Sequence, residues 1–279
     1  MRKTKEECLD SLPTIIRSEY NIEVSEVDKI EYDRLKTELS GQAKAAYSVK
    51  GRKDAETNAL QLLSAIRTET SGAKVDGAVK LIREKFASGH SNAVIFTWFR
   101  ETAFKLKGAL LQGLHQSSIS TMNPSHQICL SCEVLCGETH IDERQRLVDS
   151  FQADQLQVLV CTFGVGATGL TLTRSRLVIL LDRPWTPGDV MQAEDRVRRI
   201  GQSAAEVESV WISGFDFDRK LDDMLLKKLR CAEKVLATSD NRGHKEYDGK
   251  DKKKGRAQES KDWFSESSVA SSILKSFIK

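Results

Sequence analysis

Apolar positions recur at two periods along this chain, and the change of period divides it. The first 55 residues are charged and predicted mostly helical. Val27, Ile30, Tyr32, Leu35 and Leu39 approximate one apolar face, with Gly41 weakening its end. A second helix is predicted from about Ala55 to Arg67, carrying Leu60, Leu62, Leu63 and Ile66. A third, about Lys74 to Phe86, places Val75, Val79, Ile82 and Phe86 three or four residues apart.

From Ala93 the pattern becomes short apolar runs alternating with helical stretches. The runs Ala93–Thr97, Cys132–Cys136, Val158–Cys161, Leu177–Leu181 and Val207–Ile212 are predicted strands. The stretches Glu101–Gln112, Asp142–Phe151, Pro187–Arg199 and Phe217–Leu236 are predicted helices, Pro187 sitting in a first turn where its missing N–H costs nothing. Continuous apolar strands separated by helices imply an α/β fold, a parallel sheet covered on both faces. The expected organisation is a helical segment over 1–90, an α/β lobe with a long C-terminal helix over 91–236, and a polar tail over 237–279. From Ser239 to Ser260 the tail holds too few apolar residues to form a core, while Trp263 to Ile278 regain enough periodicity for a short docking helix.

Composition narrows the classes. With 39% apolar residues the 279-residue chain can bury a sizeable core, and 30% charged residues imply a large solvated surface. The net charge of +3, from 43 basic and 40 acidic residues, gives no whole-chain attraction for nucleic acid, so a DNA surface must come from local placement. No apolar run approaches the roughly 20 residues that cross a bilayer, and MRKTKEECLDSLP has no secretory h-region. Six cysteines without such a signal fit a reducing compartment.

The chemistry concentrates in Val158–Gln202. Gly164, Gly166 and Gly169 follow a strand and would let backbone N–H groups approach phosphate, although a purely structural bend is equally compatible. Gln192, Arg196 and Arg199 fall at i, i+4 and i+7, so one helix would project all three together. Two arginines make a permanently charged fork for phosphate oxygens. The competing reading is a solvated basic face paired with Glu194 and Asp195.

QAEDRVRRIGQ (Gln192–Gln202) resembles the last helicase motif of Swi/Snf-type DNA-dependent ATPases, Q-x-x-x-R-x-x-R-I-G-Q. GATGLTLT (Gly166–Thr173) resembles the preceding motif, and DRPWTP (Asp182–Pro187) the linking segment D-x-x-W-N-P. NAVIFTWF (Asn92–Phe99) resembles the motif opening the second lobe, LCGETHIDERQRLVDSF (Leu135–Phe151) its G-x-[ST]…R…F helix, and RKTKEECLDSLP the segment between lobes. GLTLT and QAED lean toward the annealing-helicase branch. The resemblance covers about residues 2–236 and implies a C-terminal RecA-like lobe with a brace helix. It also implies arginine-finger roles for Arg196 and Arg199 at the γ-phosphate of ATP, with Gln192 in the same cleft. Gly166, Gly169 and Thr171 would couple nucleotide state to DNA grip, and Thr97, Thr171 and Trp185 would contact double-stranded DNA. Implied partners are that DNA, nucleosomes and a first RecA-like lobe, with no membrane, in the nucleus. Thr171 and Thr186 stand where many relatives have Asn, and both keep a hydroxyl.

A phosphate-binding loop, G-x-x-x-x-G-K-[ST], is missing from the sequence. GHKEYDGK (Gly243–Lys250) has five residues between its glycines and is followed by Asp251, and VILLD, ending at Asp182, continues into Arg183 instead of the acid a magnesium motif needs. ATP and magnesium are therefore expected to be held mainly by the first lobe. The chain reads either as half of a motor or as a non-catalytic module that binds DNA or a partner and hydrolyses no ATP alone. A zinc-dependent nucleic-acid binder is a third reading, on His126, Cys129, Cys132, Cys136 and His140. Against zinc, Cys132, Val134 and Cys136 share a strand face, where buried cysteine acts as a small hydrophobe, and no metal site is expected. Lys250, Lys252, Lys253, Lys254 and Arg256 form either a solvated linker or a nuclear-import or DNA-contact cluster.

Overall fold

A computed structural model describes residues 12–48, 52–116, 130–166 and 169–240. Its elements, in chain order, are strand β1 (Thr14–Asn21), helices α1 (Glu26–Ser48), α2 (Arg52–Ala73) and α3 (Val75–Ala87), then β2 (Ala93–Thr97) and α4 (Arg100–Gln116). There follow β3 (Cys132–Leu135), α5 (Ile141–Gln152), β4 (Val158–Thr162) and the single turn α6 (Phe163–Gly166). The chain continues through β5 (Leu177–Leu180), α7 (Pro187–Glu194), β6 (Glu206–Ser213) and α8 (Asp216–Asp240). The six strands form one sheet in the order β1-β6-β5-β2-β4-β3, and every pairing is parallel.

The sheet is buried on both faces, as the unbroken apolar runs require. Alternate residues of β2 divide between two apolar clusters. Val94 and Phe96 join Phe151, Leu159, Leu180 and the apolar residues of α1, α2, α7 and α8, while Ala93 and Ile95 join Ile82, Leu106, Val160 and Ile179 on the face covered by α3 and α4. The α/β class, the parallel sheet and the five predicted strands are as expected, to within a residue or two at their ends.

The N-terminal segment departs from expectation. It is not wholly helical: β1 runs parallel to β6 over eight residue pairs, from Thr14 opposite Glu206 to Asn21 opposite Ser213, and closes one edge of the sheet. Its mostly exposed residues, with Arg17, Ser18 and Glu19 following the β-branched Thr14, Ile15 and Ile16, break the strand's apolar pattern. Beyond β1, Ile22 and Val24 lie against two glycines. A Cβ on Gly77 would fall 2.7 Å from Ile22, and one on Gly214 2.9 Å from Val24, so both positions need the absence of a side chain.

In α1 the expected face is only half right. Tyr32, Leu35 and Leu39 are buried, but Val27 and Ile30 are 76% and 70% exposed. At about 100° per residue those two point away from the buried row. Helix α3 covers the sheet from Val75 to Phe86 as predicted. Residues 117–129 and 241–279, with His126, Cys129, the basic cluster and the proposed docking helix, lie outside the described residues.

Candidate functional site

Helix α7 is shorter than predicted, and its arginines are not on it. Thr186 caps its start by accepting from the Asp189 N–H at 3.3 Å, a role its hydroxyl fills. The helix ends at Glu194, and the chain tightens into turns: the Val197 and Arg198 N–H groups both donate to the Glu194 carbonyl, at 3.1 and 2.9 Å, and Arg199 N–H donates to Val197 O at 3.0 Å. Gln192, Arg196 and Arg199, expected at i, i+4 and i+7 of one helix, therefore do not share one. The three residues nonetheless meet at one cleft. Gln192, Arg196 and Arg199 line one cleft of about 320 Å³, with Leu12, Asp195, Arg198 and Ile200.

Within this cleft Arg199 donates from Nη1 to the carbonyls of Gly169 and Leu170, at 2.9 and 3.1 Å. Gly169 has φ +78°, a conformation that glycine adopts freely, and nothing stands within 4 Å of where its Cβ would be. The glycine-rich segment thus turns carbonyl oxygens toward an arginine; it was expected to turn N–H groups toward a phosphate. Gly166 ends the single-turn helix α6, and Thr171 is half-buried beside Leu172, whose N–H donates to the Arg196 carbonyl at 2.8 Å.

Arg196 is the unsatisfied member. Its Nε is buried and has no hydrogen-bond partner; among the described residues only Ser213 Oγ shares that condition. Burial, and then the positive charge of Arg199, pull its guanidinium below the ordinary arginine value, with Asp195 opposing. Two cations converging in a partly dry cleft, one with an idle donor, favour an anion with several oxygens. Of the two acids in the competing reading, Asp195 lines the cleft and acts on Arg196, whereas Glu194 is engaged elsewhere. Glu194 is fully buried and receives Arg17 Nε and Nη2 at 2.9 and 2.7 Å and the Ser209 hydroxyl at 2.8 Å.

The strand ends carry a second charged cluster. Thr97, expected to meet DNA, is fully buried, and its hydroxyl donates to Asp182 Oδ2 at 2.5 Å, so it offers no side-chain contact to a ligand. The same oxygen accepts from the Trp98 N–H at 2.9 Å and from Ser71 at 2.8 Å. Lys74, 1% exposed, lies 3.5 Å from Asp182 and 2.9 Å from Asp218. Burial opposes ionisation of Asp182, yet Lys74, Thr97, the Trp98 amide and Ser71 together hold its carboxyl below the usual value. Arg183 makes a bidentate pair with Asp222 at 2.5 and 2.9 Å, tying α8 to the sheet as a brace. The half-buried Trp185 stacks on the Arg67 guanidinium, 4.1 Å from ring centre to Cζ, and Trp98 does so at 4.8 Å.

Of the cysteine cluster, Cys132 and Cys136 are buried in the core and His140 is exposed beside Asp142. Burial pushes the Cys132 thiol up to about 12. Among the described residues no three acidic, histidine or cysteine side chains converge as a metal site.

Sequence reasoning missed Arg17, Arg67 and Lys74. Arg17 was hidden because β1 was expected to be helix. Arg67 lies within α2 and Lys74 occupies the N-cap position of α3, but one-dimensional periodicity carries no sign that their charges turn inward.

Residues 73–201 match the family described as "Helicase conserved C-terminal domain". Among curated relatives, the DNA repair and recombination protein RAD26 of Saccharomyces cerevisiae is 31% identical over 134 residues, 46% of this chain and 11% of the relative. The ATP-dependent helicase fft3 of Schizosaccharomyces pombe is 42% identical over 67 residues, 24% of this chain and 7% of the relative. The chain thus matches about a tenth of the length of such proteins. The C-terminal part of the Fun30 ATPase domain superposes with TM-score 0.63 at 15% identity, over 96% of this chain and 97% of that one. The Sulfolobus solfataricus SWI2/SNF2 ATPase core, solved with double-stranded DNA, superposes with TM-score 0.60 at 21% identity, over 86% of this chain and 50% of that one. Both structural likenesses speak to the fold.

Proposed function

The chain carries the C-terminal RecA-like lobe of a Swi/Snf-type ATPase, and on that premise we propose that it acts as the second half of an ATP-dependent DNA translocase. The observation that carries this reading is Arg196, a permanent cation with a buried, idle donor, set beside Arg199 and Gln192 in one cleft.

That donor set fits the phosphate end of ATP. Arg196 and Arg199 would hold the terminal phosphate oxygens and stabilise the charge that builds as the β–γ bond breaks, and Gln192 would orient groups at the cleft mouth. ATP itself supplies the phosphoanhydride whose hydrolysis drives movement. The same residues do not fit magnesium, which takes oxygen ligands such as carboxylates and water. The reading assigns the ion, and the rest of the nucleotide, to a first lobe that meets this cleft. The carbonyls of Gly169 and Leu170 already hold Arg199, so a change at the cleft would pull on the loop that runs to Thr171. DNA contact falls to Trp185 and Thr171, with no base reading. RAD26 and fft3 are named for DNA repair and for ATP-dependent helicase action; by extension this chain would work on chromatin or replication forks, in the nucleus.

Arg199→Ala in the complete enzyme tests the reading. ATP turnover should drop about a thousandfold, the lower range for arginine fingers, with duplex affinity kept within about threefold. Unchanged turnover would remove the arginine from the chemistry. DNA binding with no hydrolysis, even when the first lobe is supplied, would favour the non-catalytic module.

A further inference from the structure

The arginine-bearing turn owes its position to a strand far away in sequence. We infer that Arg17 of β1 is a positioning residue for Arg196 and Arg199, acting through Glu194; the inference rests on the anion-binding reading of that cleft. Residues 195–200 leave the helix and have no regular ladder to hold them. Their pivot is the Glu194 carbonyl, which accepts from both Val197 and Arg198. The side chain of the same residue is fully buried and fixed at three points, two from Arg17 and one from Ser209, whose oxygen also accepts from Trp211 Nε1 at 3.1 Å.

Two further contacts run from the start of β1 to the same turn. Arg198 Nε donates to the Pro13 carbonyl at 2.8 Å, and Leu12 lines the cleft itself. The far side of the turn is fastened by the Arg196 carbonyl, which accepts from Leu172. A planar, bidentate guanidinium suits such a clamp because it resists rotation of the carboxylate, as a lysine would not. With β1 locked to β6 over eight pairs, a displacement of the chain at residues 12–17 is passed to the arginines with little slack.

The test uses this chain, with the Nε–H resonances of Arg196 and Arg199 followed by NMR and pyrophosphate as the probe. Arg17→Ala should shift the Arg196 Nε–H resonance before any ligand is added and weaken pyrophosphate binding about tenfold, in keeping with the cost of small misplacements. Arg17→Lys should recover part of that loss, and Glu19→Ala, exposed on the same strand, should change neither. If Arg17→Ala loses amide protection across the β1–β6 pairing, Glu194→Gln, which keeps the shape, decides the matter. In the complete enzyme the Arg17 variant should lower kcat about tenfold with KM for ATP within threefold. Unmoved Arg196 resonances in both Arg17→Ala and Glu194→Gln overturn the inference. A wild-type chain that ignores pyrophosphate, while Arg17→Ala still moves Arg196, overturns the anion reading and leaves the clamp standing.

Discussion

Around Asp182, Lys74, Arg183, Asp218 and Asp222 are closed on one another, whereas around Arg196 a donor has been left open. The first cluster is inside: Lys74 lies between two carboxylates, Arg183 meets Asp222 with both nitrogens, and Asp182 accepts from three further groups. The second faces a cleft, where Arg196 Nε has no partner and Arg199 spends one nitrogen on two carbonyls. Buried charge that is fully paired holds elements in place; a partly dry cation with an idle donor, its charge only partly offset by Asp195, is available to a ligand. By that criterion the strand-end cluster is architecture and the arginine cleft is where the proposed function would reside, although both are dense in charge.

Breaking the closed cluster should cost the most. Asp182→Ala leaves three donors and Lys74 short of an acceptor, and should lower stability by about 3–5 kcal/mol, read as a fall in the urea midpoint. A loss below about 1 kcal/mol would mean that water replaces the carboxylate and that the cluster is not closed. Gly77→Ala probes the other inner constraint: the new methyl meets Ile22 at 2.7 Å and should cost about 1–3 kcal/mol by overpacking. Ile22→Ala in the same chain should recover part of that loss.

The pH dependence follows from the same contrast. Asp182 has a folded-state value below its ordinary 3.8, so its contribution is present in full above that value and is lost as pH falls through the lower, folded one. The stability gap between wild type and Asp182→Asn should therefore be flat above about pH 5 and shrink below about pH 4. A gap that widens on acidification would contradict the sign. Cys132, with its thiol pushed up to about 12, should resist alkylation in the folded chain at neutral pH. Arg196→Ala should be smallest of all on the stability scale, under about 1 kcal/mol, because its buried Nε makes no hydrogen bond to the fold.

Much of the fold was legible because parallel strands buried on both faces are written as unbroken apolar runs, and all five of those from β2 to β6 were found. β1 was not, since an edge strand need bury little and its Arg17 and Glu19 resemble a helix surface. The residues of the cleft were legible for a reason that turned out to be false: Gln192, Arg196 and Arg199 meet through turns, not along one helix face. Which threonine would face outward was not legible. Thr97 was expected to meet DNA, but it is buried and its hydroxyl donates to Asp182, 85 residues away in sequence.

On the proposed reading, Arg196 is held open for the phosphate of ATP and does not serve the fold. Duplex-stimulated ATP hydrolysis by the complete enzyme carrying Arg196→Ala, at saturating ATP, tests it most directly. Turnover should fall about a thousandfold while the unfolding midpoint and duplex affinity stay near wild type. Turnover within threefold of wild type, or a loss of turnover matched by a loss of folded protein, would contradict it.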